Sequence, residues 1–142
     1  MIKAQALELA NFTTAGSAAQ TFRLSTVVPV QGMMIKRESK ECCVLIHLSA
    51  ISGTSPTATF DVYETVDGVD VHVGTTGAMN AADDRVIDSG GGQISSGLTF
   101  SSGSNTGTLR LLGKGSDMKI TGTTTGTIGT IAGTINVIFY DG

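Results

Sequence analysis

The sequence has no tryptophan, two tyrosines, two histidines, two cysteines and two prolines in 142 residues. Without tryptophan, and with tyrosine only at 63 and 140, it lacks the aromatic platforms on which sugar-cleaving clefts are built. Charge is equally scarce, since Asp, Glu, Lys and Arg make up 15% of the chain against about 25% in an ordinary soluble domain. The nine basic residues are scattered and the net charge is −3, which excludes the clustered basic stripe that nucleic-acid binding requires. No apolar run approaches the ~20 residues of a membrane-spanning helix; Cys42 to Leu48, the longest near the centre, is broken by His47. The first ten residues hold no unbroken apolar run of signal-peptide length, because Glu8 interrupts them. The chain is therefore expected to be made in a reducing compartment, with Cys42 and Cys43 as free thiols. Neighbours on a strand point to opposite faces and make a strained disulfide.

What the sequence does have is glycine, 19 residues, and threonine, 20 residues, with 40% hydrophobic content. That is enough apolar material to offset chain entropy, and the length suits one folded domain. From Phe22 onward the apolar residues alternate with period two. Phe22 to Val28 reads as a first strand, followed by Cys43 to Ala50, Ala58 to Thr65, Val69 to Gly74, Ile94 to Phe100, Thr108 to Leu112, Met118 to Thr121 and Thr134 to Tyr140. Asp67-Gly68 between two of them is a two-residue hairpin signal. The stretch Ile51 to Pro56 carries turn residues, and residues 121 to 134, with Gly-Thr-Ile three times over, read as a glycine-rich loop in preference to a β-helix rung. These eight or so strands predict an all-β, two-sheet antiparallel sandwich of jelly-roll type over residues 21 to 142. Its expected core is Phe22, Leu24, Val44, Ile46, Leu48, Phe60, Val62, Val69, Val71, Leu109, Leu111, Ile120, Val137 and Phe139. Residues 1 to 20 stand outside the alternation and are expected to form an N-terminal arm, whose spacing fits a short helix or an edge strand equally.

Catalytic chemistry finds little to work with. His47 and His72 fall on the outer faces of their strands, no Gly-x-Ser-x-Gly elbow exists, and Cys43 lies about 13 Å along the strand from His47, too far for a Cys-His pair. Asp83, Asp84 and Asp88 sit in a glycine-rich loop of the kind in which carboxylates and carbonyls converge on calcium, but the sequence has no EF-hand loop and a solvated acidic loop accounts for them. Gly113-Lys114-Gly115-Ser116 lacks the upstream glycine of a phosphate loop and reads as a hairpin turn. The sequence thus predicts no enzyme, no cofactor, no metal, no nucleic acid and no membrane. Apolar residues at nominally outer positions point instead to contacts with other chains: Leu45, Leu112 and Ile138 on strands, Met33 and Met34 after Gly32, and Leu7, Leu9 and Phe12 on the arm.

The stretch Gly53-Thr54-Ser55-Pro56, the strand Thr57 to Val66 ending at Asp67-Gly68, and the glycine-rich run before a terminal strand at Gly133 to Asp141 resemble tailed-bacteriophage virion proteins, the capsid decoration (cement) proteins above all. The resemblance spans about residues 42 to 142. It implies a homotrimer on the virion's capsid surface that bridges neighbouring major-capsid subunits. A phage tail or fibre component, or a secreted carbohydrate-binding or adhesion sandwich, are the alternatives.

Overall fold

The computed structural model describes residues 4–29, 31–39, 41–87, 98–101 and 115–140. The expected strand Thr108 to Leu112, with Leu109, Leu111 and Leu112, lies outside these residues, as do most of Ile94 to Phe100 and Asp88; the side chain of Met33 is likewise not described.

The chain is mostly β, as its alternation predicts, in one sheet. Strand β1 (Ala4–Phe12) leads through a four-residue helical turn α1 (Ala15–Ala18) to β2 (Thr21–Arg23); α2 (Leu24–Val27) and α3 (Gln31–Glu38) follow, then β3 (Glu41–Val66), β4 (Val69–Thr75), β5 (Asp83–Ile87), β6 (Leu98–Ser101) and β7 (Asp117–Tyr140). The spatial order is β1-β7-β3-β5-β6, with β2 also on β7 and β4 also on β3. All pairs are antiparallel except β5 with β6.

Two strands, 26 and 24 residues long, organise the molecule. Ile51 to Pro56 and residues 121 to 134, expected as turn and loop, are continuous strand, and β3 pairs with β7 from Glu41↔Tyr140 to Thr65↔Asp117. Turn-forming residues are present because the paired strands bend there. Register shifts fall between Leu48/Ala50, Ser52/Gly53 and Thr54/Thr57, and Ser55 and Gly126 both have positive φ, 48° and 75°. A Cβ on Gly126 would stand 2.1 Å from the Ser55 carbonyl oxygen, so only glycine fits the corner.

The bend divides the sheet into two leaves, curling it into a half-barrel. One leaf joins residues 41 to 48 of β3 and 133 to 140 of β7 to β1 and β5; the other joins 58 to 66 and 117 to 124 to β2 and β4. The inner faces meet in one core, with Leu9, Phe12, Val44, Ile46, Leu48, Ile87, Ile135, Val137 and Phe139 from the first leaf and Phe22, Ala58, Phe60, Val62, Val73, Met118 and Ile120 from the second. Two separate hydrogen-bonded sheets are thus replaced by one sheet folded on itself, because the Gly/Thr stretches carry the ladder around the corner instead of interrupting it. Phe12 lies across the strand pair from Gly133 and Phe60 from Gly122. Each ring occupies the space that a Cβ on its glycine would need, with ring atoms 2.7 and 3.0 Å from the Cβ positions. The two rings stack between the leaves at 5.5 Å.

Of the expected core, Val69 is 61% exposed beside the hairpin turn and Val71 is only partly buried. The hairpin itself forms with Asp67 and Gly68 at positive φ, as a two-residue loop of this type requires. The expected strand Phe22 to Val28 stops at Arg23 and turns helical, with Val28 N–H donating to the Leu24 carbonyl and Gly32 N–H to the Val28 carbonyl. The arm is the largest correction. β1 pairs along its length with β7, Leu9 and Phe12 are 4% and 1% exposed, and Leu7 is half-buried against the core. Chain ordering there is offset by the protomer's own core, and Thr14 caps α1 in a reciprocal box with Ser17.

Candidate functional site

Among the described residues, ionisable side chains gather at three places, two of them on outer sheet faces. On the second leaf, Arg23 from β2 reaches Asp70 on β4 at 2.7 Å and Asp117 on β7 at 3.3 Å, while Lys119 approaches Asp70 at 3.4 Å. Thr65 donates to Asp70 and Ser25 to Asp117. The bond from Arg23 foremost, then that from Thr65, hold the Asp70 carboxyl well below the usual carboxylate range, and the carboxylates of Asp70 first and Asp117 raise the Arg23 pKa. Lys119 also lies 4.3 Å over the Tyr63 ring, whose edge meets His72; His72 Nε2 is 3.0 Å from Asp61. A threonine carpet borders this network: Thr21 pairs with Thr121, Thr59 with Thr123 and Thr57 with Thr125.

On the first leaf His47 Nδ1 contacts Asp84 across the β3–β5 pair, at the side of a shallow groove of about 340 Å³ lined also by Leu48, Ser49, Ala82 and Asp83. Ser49 donates its hydroxyl to the Ala132 carbonyl, and Asp83 accepts from Arg85. Among the described residues no three or more His, Cys, Asp or Glu side chains group to hold a metal; Asp83 and Asp84 diverge to Arg85 and His47.

The third cluster is internal. Lys36 of α3 meets Glu64 of β3 at 2.9 Å with side-chain exposures of 2% and 0%, and Gly115 N–H donates to the same carboxylate at 3.2 Å. Cys42 lies nearby; burial first, then the Glu64 charge, pushes its thiol far above the ordinary range, which disfavours the thiolate. Sequence periodicity missed this pair because Lys36 and Glu64 belong to different elements, and the only signal was Glu64 falling on the apolar face with Phe60 and Val62.

The expected interface residues separate accordingly. Leu45 and Ile138 are brought together on the outer face of the first leaf, since Cys43 pairs with Ile138 and Leu45 with Asn136, and both are half-buried. Met34 on α3 is 45% exposed. Leu9 and Phe12 face the core and Leu7 aligns with buried Val137. Comparison with protein-family profiles, with curated proteins and with solved structures gave no match.

Proposed function

We propose that this chain is a non-enzymatic structural protein of a tailed-phage virion, seated as a homotrimer on the capsid surface, where it bridges neighbouring major-capsid subunits. The observation that carries the reading is where the ionisable groups go. The clustered ionisable groups engage one another in Arg23–Asp70–Asp117, His72–Asp61, His47–Asp84 and Lys36–Glu64, and the surface beside them is hydroxyl and apolar. Contacts of that kind, repeated by symmetry, strengthen a shell without titrating residues. The two outer faces divide the work: the threonine and ion-pair face of the second leaf suits solvent, while Leu45 and Ile138 on the first leaf, with Met34, suit the shell. In this reading the two leaves stand where the two sheets of a jelly-roll sandwich stand in similar decoration proteins.

The test is sedimentation of the purified chain with particles that lack it. Saturable binding to the capsid, lost by about tenfold or more in Leu45→Arg and Ile138→Arg while the variants remain folded, is the expected result. Binding to a glycan array without binding to particles favours the adhesion-module alternative, and binding to tails alone favours a tail component.

A further inference from the structure

The buried Lys36–Glu64 pair is not accounted for by stability alone. Taking both charges out of water offsets most of their attraction, and a well-packed apolar pair of similar volume often holds a protein as well or better. What the ion pair adds is direction: its hydrogen bond forms in one geometry, whereas apolar contact is satisfied by many. α3 needs that direction. Its backbone N–H groups bond locally, Gly32 to the Val28 carbonyl and Ser39, just past its end, to the Ile35 carbonyl. Among its described side chains Ile35 is only partly buried against the core, Met34 and Glu38 are exposed, and Lys36 is the deeply buried one. A single half-buried isoleucine fixes neither the rotation of a helix nor its height over a sheet. α2, just before it, is held differently, by fully buried Leu24 and by Ser25, whose N–H and hydroxyl both donate to Asp117.

We infer that the Lys36–Glu64 pair is a positioning device: it sets the rotation and height of α3 over the sheet and contributes little net stability compared with an apolar pair. The acceptor is itself fixed. Glu64 Oε2 takes Lys36 Nζ at 2.9 Å and the Gly115 N–H at 3.2 Å. Gly115 approaches so closely that a Cβ there would stand 2.5 Å from that oxygen and 2.6 Å from the Thr65 carbonyl oxygen. The carboxylate is thus held between β3 and the chain entering β7, and it offers the ammonium one site. Residues 34 and 36 lie about 200° apart around a helix, so the bond that draws Lys36 inward turns Met34, 45% exposed, outward. Met34 is a residue that the capsid reading uses, but the position of α3 belongs to the protomer and is measured on the protomer alone.

The experiment is backbone amide exchange of the full chain as parent, as Lys36→Met/Glu64→Leu and as Lys36→Arg. In the double variant the amides of α3 and of Ser39 are expected to exchange about tenfold or more faster than in the parent, as a locally loosened segment does. Amides of residues 44 to 48 and 135 to 139, paired at the centre of the sheet, should change only as far as urea stability does. Lys36→Arg, which keeps a cation on the carboxylate, is expected to keep the slow exchange of α3. Equal α3 exchange in parent and double variant overturns the inference, as does acceleration spread evenly over α3 and the strands. A double variant that fails to fold, or Lys36→Arg exchanging as fast as the double variant, overturns it too.

Discussion

Removing one member of the Lys36–Glu64 pair should be among the most damaging changes the protomer can suffer, and removing both should not. Lys36 and Glu64 side chains are 2% and 0% exposed and bonded at 2.9 Å. In Glu64→Leu the ammonium stays in a nearly dry site and Gly115 N–H loses an acceptor 3.2 Å away; Lys36→Met strands the carboxylate instead. Breaking a buried pair from one side costs about 3 to 5 kcal/mol, which for a domain of this length lowers the melting temperature by roughly 10 to 15 °C. The double variant Lys36→Met/Glu64→Leu removes both desolvation penalties and sets the loss of acceptors such as that of the Gly115 N–H, about 1 to 3 kcal/mol each, against new apolar packing. It should therefore unfold within a few degrees of the parent. Urea denaturation of the four proteins closes a double-mutant cycle. Singles costing under about 1 kcal/mol, as an exposed pair would, or a double variant as unstable as the sum of the singles, would refute the reasoning.

Phe60→Ala removes a fully buried ring stacked on Phe12 and should cost about 3 to 5 kcal/mol in the same denaturation assay, whereas Val69→Ala, at the exposed hairpin end, should change little. Deleting residues 1 to 14 removes β1 with Leu9 and Phe12, so cooperative melting by circular dichroism should be lost; a melting temperature near that of the intact chain would mean β1 is dispensable. Asp70 is ionised more readily in the folded than in the unfolded chain, so its stabilisation is complete at neutral pH and drains away as pH falls below about 4, where the unfolded carboxyl takes up its proton first. Asp70→Asn should be less stable at pH 7 and lose less stability between pH 4 and pH 2, and a parallel pH profile for variant and parent would contradict that.

Where one face of a strand is buried and the other wet, the sequence told the structure. Val44, Ile46 and Leu48, or Phe60 and Val62, alternate because their neighbours face outward, and Asp67-Gly68 announces its hairpin because few other residues tolerate positive φ there. The bend was illegible for the same physical reason reversed. Gly53, Ser55, Pro56 and Gly126 have turn chemistry, but here they corner two strands that stay paired, and only the partner strand distinguishes a corner from a loop. β1 was misread because the register shift between Glu8 and Ala10, at Leu9, leaves the two buried residues Leu9 and Phe12 three positions apart and breaks the alternation. Of the candidate interface, Leu45 and Ile138 followed from period two. The Lys36–Glu64 contact, 28 residues apart, is tertiary and had no local signature.

The proposed strengthening of a phage shell is measured by heating particles that lack the protein with increasing amounts of the purified chain and recording the temperature at which they release their DNA. A saturable rise that Leu45→Arg and Ile138→Arg abolish is expected. A release temperature unchanged at saturating concentrations of folded protein would contradict it.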